Sequence, residues 1–195
     1  MDILALHLSP RKNGNSEIML DEFIRGAEEA GAAVEKFSVA DHRIEPCAGC
    51  AVCEETGECV ITGDDMGPLY PKLASAPMVV VSTSLFFYDV PAAGKALIDR
   101  TQPLWASRYV FRKSDTLRPD GKGFLLALGA TRGKDLFLPV NLCVKYFFDS
   151  IGMPKEFDSL CYRQIEKLGD MKNSPEHLAE VYAAGKAFGL QKPKA

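Results

Sequence analysis

Residues 3–16 read Ile3-Leu4-Ala5-Leu6-His7-Leu8, then Ser9-Pro10-Arg11-Lys12-Asn13-Gly14-Asn15-Ser16. The first six have the length and apolarity of a buried strand. The next eight are polar or turn-forming. They lead into Ser16–Ala30, where Leu20, Phe23, Ile24 and Ala27 fall at helical spacing and Gly31 marks the stop. A buried strand feeding a helix through one short loop is the opening of a βαβ unit.

The alternation continues outward from that unit. Val34–Val39, Met78–Ser82, Phe124–Leu128 and Phe157–Tyr162 read as further strands. Asp65 is placed to cap a short helix holding Met66, Leu69, Tyr70 and Leu73, and Pro91 suits the first turn of a helix over Ala92–Thr101. Helices are also expected over Leu136–Ile151 and Pro175–Gly189. Such alternation implies right-handed crossovers, a parallel sheet and helices on both faces. Five strands fit the doubly wound order 2-1-3-4-5, with ligands bound beyond the carboxyl ends of the strands at the switch point between strands one and three. The fold class expected is therefore α/β and flavodoxin-like. One domain is expected over 1–195, with an insertion at about 41–63 that has neither helical nor strand periodicity.

The chain has 195 residues, 47% hydrophobic and 25% charged. These values are ordinary for a globular protein and argue against disorder, collagen-like repeats or a membrane protein. Lys+Arg 23 against Asp+Glu 26 leaves a net charge of −3, which offers no general attraction for nucleic acid or an anionic membrane. The N-terminus lacks a basic signal-peptide region, and no apolar run approaches the ~18 residues of a spanning helix. A cytoplasmic location is expected, where thiols stay reduced and clustered cysteines serve metal binding or redox chemistry.

The loop Ser9–Ser16 sets two hydroxyls, two cations and amide side chains at a helix N-terminus, a combination suited to a phosphate monoester. It could equally be a polar turn whose Asn15 or Ser16 caps the helix. It matches neither a Walker motif nor a dinucleotide fingerprint. After the third strand, Ser82-Thr83-Ser84-Leu85-Phe86-Phe87-Tyr88-Asp89-Val90 places hydroxyls beside aromatic rings, which suits a flat heteroaromatic ligand. Core packing is the alternative for Phe86 and Phe87. After the fourth strand, Gly129-Ala130-Thr131-Arg132-Gly133-Lys134 has glycines that permit close backbone approach. Trp105 suits either a cofactor cover or a subunit contact.

Cys47, Cys50, Cys53 and Cys59 form C-x2-C-x2-C-x5-C. A C-x2-C-x2-C run is a recognised source of three thiolates for an iron–sulfur cube, although the ferredoxin pattern has x3 before its fourth cysteine and a proline after it. Structural zinc sites usually use two separated knuckles rather than one tight run. Four free thiols in a surface loop are the remaining alternative. Cys143 and Cys161 lie in apolar contexts and read as small buried hydrophobes. No histidine pair, Ser/His/Asp order or glycine-flanked nucleophile suggests a hydrolase, and no residue is singled out as a general acid or base.

Ser9-Pro10-Arg11 through Asn15-Ser16, the Cys47–Cys59 run with Thr56-Gly57, Asp64-Asp65-Met66, and Lys95 through Asp99-Arg100 together resemble the flavodoxin-like NADPH-dependent FMN reductase superfamily. Within it, they are most similar to iron–sulfur flavoproteins. The resemblance implies FMN, its phosphate held by Ser9, Arg11, Asn13, Asn15 and Ser16. It also implies that Thr83, Ser84, Leu85, Phe86 and Phe87 frame the ring with Gly129, Ala130 and Thr131. A [4Fe–4S] cluster on Cys47, Cys50, Cys53 and Cys59, NAD(P)H as a reductant, and a homodimer or homotetramer are implied as well. A redox partner such as ferredoxin, or a small-molecule acceptor, would complete the electron path. Members of the family commonly have Pro-x-Tyr followed by a glycine in the second loop, where this chain has Ser84, Phe86 and Tyr88 at the corresponding places. The expected function is electron transfer between cluster and FMN. The alternatives are a cluster-free NAD(P)H-dependent FMN or quinone reductase, and a flavin-free zinc-binding scaffold.

Overall fold

A computed structural model describes residues 1–192. Five strands, β1 (Ile3–His7), β2 (Val34–Ser38), β3 (Met78–Ser84), β4 (Lys122–Gly129) and β5 (Phe157–Arg163), form one sheet in the order β2-β1-β3-β4-β5. Every neighbouring pair is parallel. The helices are α1 (Asn15–Glu29), α2 (Val52–Thr56), α3 (Met66–Ser75), α4 (Ala92–Asp99), α5 (Gln102–Tyr109), α6 (Leu138–Ser150) and α7 (Pro175–Gly189). None of the described helices is long and apolar enough to cross a membrane.

Side chains alternate across the sheet and build two cores. Ile3, Ala5, Met78, Val80, Phe124 and Leu126 pack with Phe23 of α1 and Phe188 of α7. Leu4, Leu6, Val79, Val81, Leu125 and Ala127 pack with α3, α4 and α6. Because both faces are covered, the central strands are apolar almost throughout, and this is why they could be read as short unbroken runs.

Several elements differ from the sequence expectation. β3 continues through Thr83 and Ser84, whose partners Ala127 and Leu128 extend the ladder with β4. The helix expected over Ala92–Thr101 ends at Asp99, and α5 starts afresh with Pro103 in its first turn. A proline lacks the amide that a continuous helix would need there. Asp65 is the N-cap residue of α3, but its side chain makes no cap hydrogen bond. Its carboxylate accepts from the Arg43 amide (2.7 Å), while Asp64 accepts from the Met66 amide (3.2 Å). The 41–63 stretch, read as irregular, contains the short helix α2.

α1 and α7 meet backbone to backbone at Gly26 and Gly185. A Cβ on Gly185 would overlap the Phe23 carbonyl, and one on Gly26 would overlap the Tyr182 carbonyl. Gly185→Ala is therefore expected to destabilise the fold by ~1–3 kcal/mol through overpacking. Gly67→Ala, where an added Cβ meets nothing beyond its chain neighbours, is expected to change stability far less. Urea midpoints measure both, and equal midpoints for the two variants would contradict this packing.

Candidate functional site

A cleft opens beyond the carboxyl ends of β1, β3 and β4, at the switch point of the sheet. Ser9, Arg11, Gly14, Asn15, Ser16, Ser84, Leu85, Phe86, Leu128, Gly129, Ala130, Ile165 and Glu166 line it. The hydroxyl of Ser9, a lining residue, lies 3.1 Å from the Ser84 hydroxyl and 3.5 Å from the Arg11 amide. α1 starts beside it, and its cap residue Gly14 offers no side chain to the first-turn amides. Those amides, together with the helix dipole, favour an anion. Lys12 is turned away into an ion pair with Asp41, which leaves Arg11 as the loop cation lining the cleft.

Nine of the thirteen expected cofactor residues line this cleft, and Asn13, Thr83, Phe87 and Thr131 do not. Thr83 is fully buried because β3 runs past it, and its hydroxyl donates to the Ser84 carbonyl (2.9 Å). Asn13 is exposed at φ 55°, its amide donating to Glu17 (2.5 Å). Thr131 is exposed. Phe87 is wholly exposed at the tip of a turn closed by reciprocal hydrogen bonds between Phe86 and Asp89. Phe87 and Tyr88 both have positive φ (52° and 71°), a combination that Asn-Gly usually fills. Of the third-loop glycines, Gly129 lines the cleft and Gly133 does not. A Cβ on Gly129 would press on Leu136 at 3.0 Å, and one on Gly133 on the Tyr88 hydroxyl at 3.0 Å.

Sequence reasoning missed Gly14, Leu128, Ile165 and Glu166. The last two arrive from the segment after β5, which is fastened across the molecule by Asn15. The Asn15 amide group donates to the Lys167 carbonyl (2.8 Å) and accepts from the Met171 amide (3.1 Å). Asn15 thus spends its side chain on building the cleft. Ser16 is likewise engaged: its hydroxyl lies 3.0 Å from Nε2 of the buried His7, whose Nδ1 lies 2.9 Å from the Ser38 hydroxyl. Burial pulls the His7 pKa below its ordinary 6.5, so the ring stays neutral and links β1, β2 and α1.

The cysteine loop forms a second site. Cys47, Cys50, Cys53 and Cys59 line one cavity with Arg100, and none is in a disulfide. Gly49 (φ 64°) and Ala51 (φ 60°) turn the chain so that α2 presents Cys53. Burial pushes the Cys53 thiol up, and Cys59, Cys47 and Cys50 push it further. No group of three or more His, Cys, Asp or Glu among the described residues stands in metal-holding geometry, so the thiols are gathered without being drawn together.

Arg100 closes this loop. It donates to the Glu45 carbonyl (2.9 Å) on one side of the cysteines and to the Ile61 carbonyl (3.0 Å) on the other. It also grips Asp64 with both terminal nitrogens, at 2.6 and 3.3 Å. Burial works to raise the Asp64 pKa, but the bonds from Arg100 and the Glu45 amide (2.9 Å) outweigh it and hold the carboxylate below its ordinary value. The donor set, four soft thiols beside a guanidinium, suits an anionic metal–thiolate centre.

A further groove, about 560 Å³, lies elsewhere, between α4, α5 and α6, and contains Trp105, Leu142, Cys143 and Tyr146. Trp105 thus lines this groove and not the cleft of its own chain. Burial pushes the Cys143 thiol up to about 12, which makes it an inert packing residue, and burial raises Cys161 as well.

The sheet order and the switch-point cleft define a flavodoxin-like α/β protein. A model of the NADPH-dependent FMN reductase family matches residues 1–131, and the chain belongs to that family. It is 34% identical over 104 residues to an iron–sulfur flavoprotein of Methanocaldococcus jannaschii (53% of each chain). It is 37% identical over 95 residues to one of Archaeoglobus fulgidus (49% of this chain, 43% of the relative). A third, from Methanosarcina thermophila, is 28% identical over 132 residues (68% and 65%). The chain thus spans 43–65% of the length of these relatives. In structure it is similar to an NAD(P)H:quinone oxidoreductase from Methanothermobacter marburgensis (TM-score 0.69, 18% identity, 94% of each chain). It is also similar to an FMN-dependent NADH-azoreductase from Bacillus anthracis (TM-score 0.68, 13% identity, 96% of this chain and 98% of that one).

Two predictions follow the geometry of the cleft. With its folded pKa depressed, His7 contributes full stability above pH 6.5 and loses it as pH falls towards the folded value. The unfolding free energy should therefore drop between pH 7 and 5 in the parent protein and drop less in His7→Gln; parallel profiles would remove His7 from the account. Phe87→Asn should stabilise the turn by about 1 kcal/mol by relieving the left-handed backbone cost. A urea midpoint no higher than the parent's would contradict this.

Proposed function

We propose that the chain is an FMN-dependent electron-transfer oxidoreductase that carries FMN in the switch-point cleft and a [4Fe–4S] cluster on Cys47, Cys50, Cys53 and Cys59. The observation that carries the cluster is the gathering of four thiols in one cavity under a buried guanidinium. FMN is supported by family membership and by a cleft whose floor suits a phosphate. When bound, FMN supplies conversion between two- and one-electron chemistry and the cluster supplies one-electron transfer.

The first-turn amides of α1, the Ser9 and Ser84 hydroxyls and Arg11 hold the phosphate in this reading. Asn15 and Ser16 contribute their backbone, since their side chains are bonded elsewhere. Leu85, Phe86, Gly129 and Ala130 frame the ring. No side chain is assigned proton transfer; the protein orients and tunes the cofactors. NAD(P)H is the proposed reductant, a ferredoxin-like protein or small molecule the acceptor, and the cytoplasm the location. A homodimer or homotetramer is supported by the stripe of Leu138, Leu142 and Tyr146, exposed at four-residue spacing along α6.

A cluster-free NAD(P)H-dependent reductase is the second reading, favoured by the absence of metal-holding geometry among the described residues. Anaerobic protein assayed for FMN, iron, sulfide and zinc separates the readings. FMN with about four irons and four sulfides per chain is expected, and Cys53→Ser should lose the iron while keeping FMN. A flavin spectrum without iron or sulfide would overturn the cluster, zinc alone would favour the scaffold reading, and absence of flavin after reconstitution would overturn both flavin readings.

A further inference from the structure

Arg100 heads the fully buried side chains by volume among the described residues. Four of its bonds are accounted for: the Glu45 and Ile61 carbonyls and both oxygens of Asp64. Its Nε–H is buried and has no acceptor among the described residues. A buried donor without a partner is uncommon and calls for an explanation. The same side chain lines the cavity that holds Cys47, Cys50, Cys53 and Cys59.

From this juxtaposition we infer that the Arg100 Nε–H donates a hydrogen bond to a sulfur of the cluster, and that Arg100 thereby raises the cluster's reduction potential. The inference rests on the cluster reading above. Hydrogen bonds to the sulfurs and net charge near the cluster are among the factors that set such potentials. Both favour the reduced, more negative form. Asp64 modulates the effect: its carboxylate neutralises the guanidinium charge within the clamp, so that the N–H dipole remains as the local influence on the cavity. The planar fork explains why arginine stands here. Lysine could supply a charge, but it could not span Asp64 and two carbonyls while aiming a further donor in a fixed direction.

The test uses the anaerobically reconstituted full chain, with iron and sulfide assayed on every sample. In protein labelled with 15N-arginine, the reduced paramagnetic cluster should show a 15N hyperfine coupling that disappears in Arg100→Lys. Redox titration should place the potential of Arg100→Lys below the parent by about tenfold in the one-electron equilibrium constant, about 59 mV. Asp64→Asn, which uncovers the charge, should shift the potential upward. A parent cluster without 15N coupling, or equal potentials in parent and Arg100→Lys, would overturn the inference while leaving the cluster reading intact. Should Arg100→Lys fail to hold iron, the parent coupling and the Asp64→Asn shift still decide. A parent protein that takes up no iron and sulfide would overturn the cluster reading itself.

Discussion

The bidentate pair between Arg100 and Asp64 is the interaction on which the cysteine loop depends. From Pro46 to Gly63 no residue is buried, so the loop has no apolar core of its own to position it. Its position comes from polar anchors, with one guanidinium holding a carbonyl on either side of the four cysteines. The side chains of the pair are 0% and 2% exposed. Removing one partner of such a pair typically costs ~3–5 kcal/mol, because the other is left buried and uncompensated. A clamp of this kind fixes where the thiols lie while leaving the segment between its jaws free to adjust around a ligand.

The cleft is built on the same logic of distant fastening. β1 and β3 are paired neighbours whose following helices, α1 and α4, pack on opposite faces of the sheet, and the segment after β5 lines the groove between their loops. Asn15 draws that segment in through Lys167 and Met171, bringing Ile165 and Glu166 to the lining. His7 holds the start of α1 to β1 and β2 through two serine hydroxyls. Polar side chains buried near the strand ends thus set the shape of the site, while the apolar cores set only the sheet.

Legibility in the sequence follows this division. The strands stood out because a sheet covered on both faces needs unbroken apolar runs, and Ile3–Leu8 and Met78–Ser82 supply them. The order of the strands followed from crossover rules, and the cysteine spacing was local and therefore visible. What stayed hidden depends on contacts between residues far apart in the chain. Asn15 looked like a ligand because nothing nearby reveals its bonds to a segment more than 150 residues away. Thr83 looked like part of the loop after the third strand because the end of β3 is set by its pairing with β4 rather than by its own residue types. The third-loop glycines looked alike, yet Gly129 lines the cleft while Gly133 accommodates Tyr88. Arg100 carried a motif resemblance, but its bonds to Glu45, Ile61 and Asp64 have no signature in spacing.

The central claim is that the cavity closed by Arg100 holds iron while the switch-point cleft holds FMN. Crystals of anaerobically prepared protein, with diffraction recorded on both sides of the iron absorption edge, address it directly. The account predicts an iron-specific anomalous peak among Cys47, Cys50, Cys53 and Cys59, and flavin density with its phosphate beside Ser9 and the start of α1. Four cysteines with no anomalous density, or a peak that appears only at the zinc edge, would contradict it.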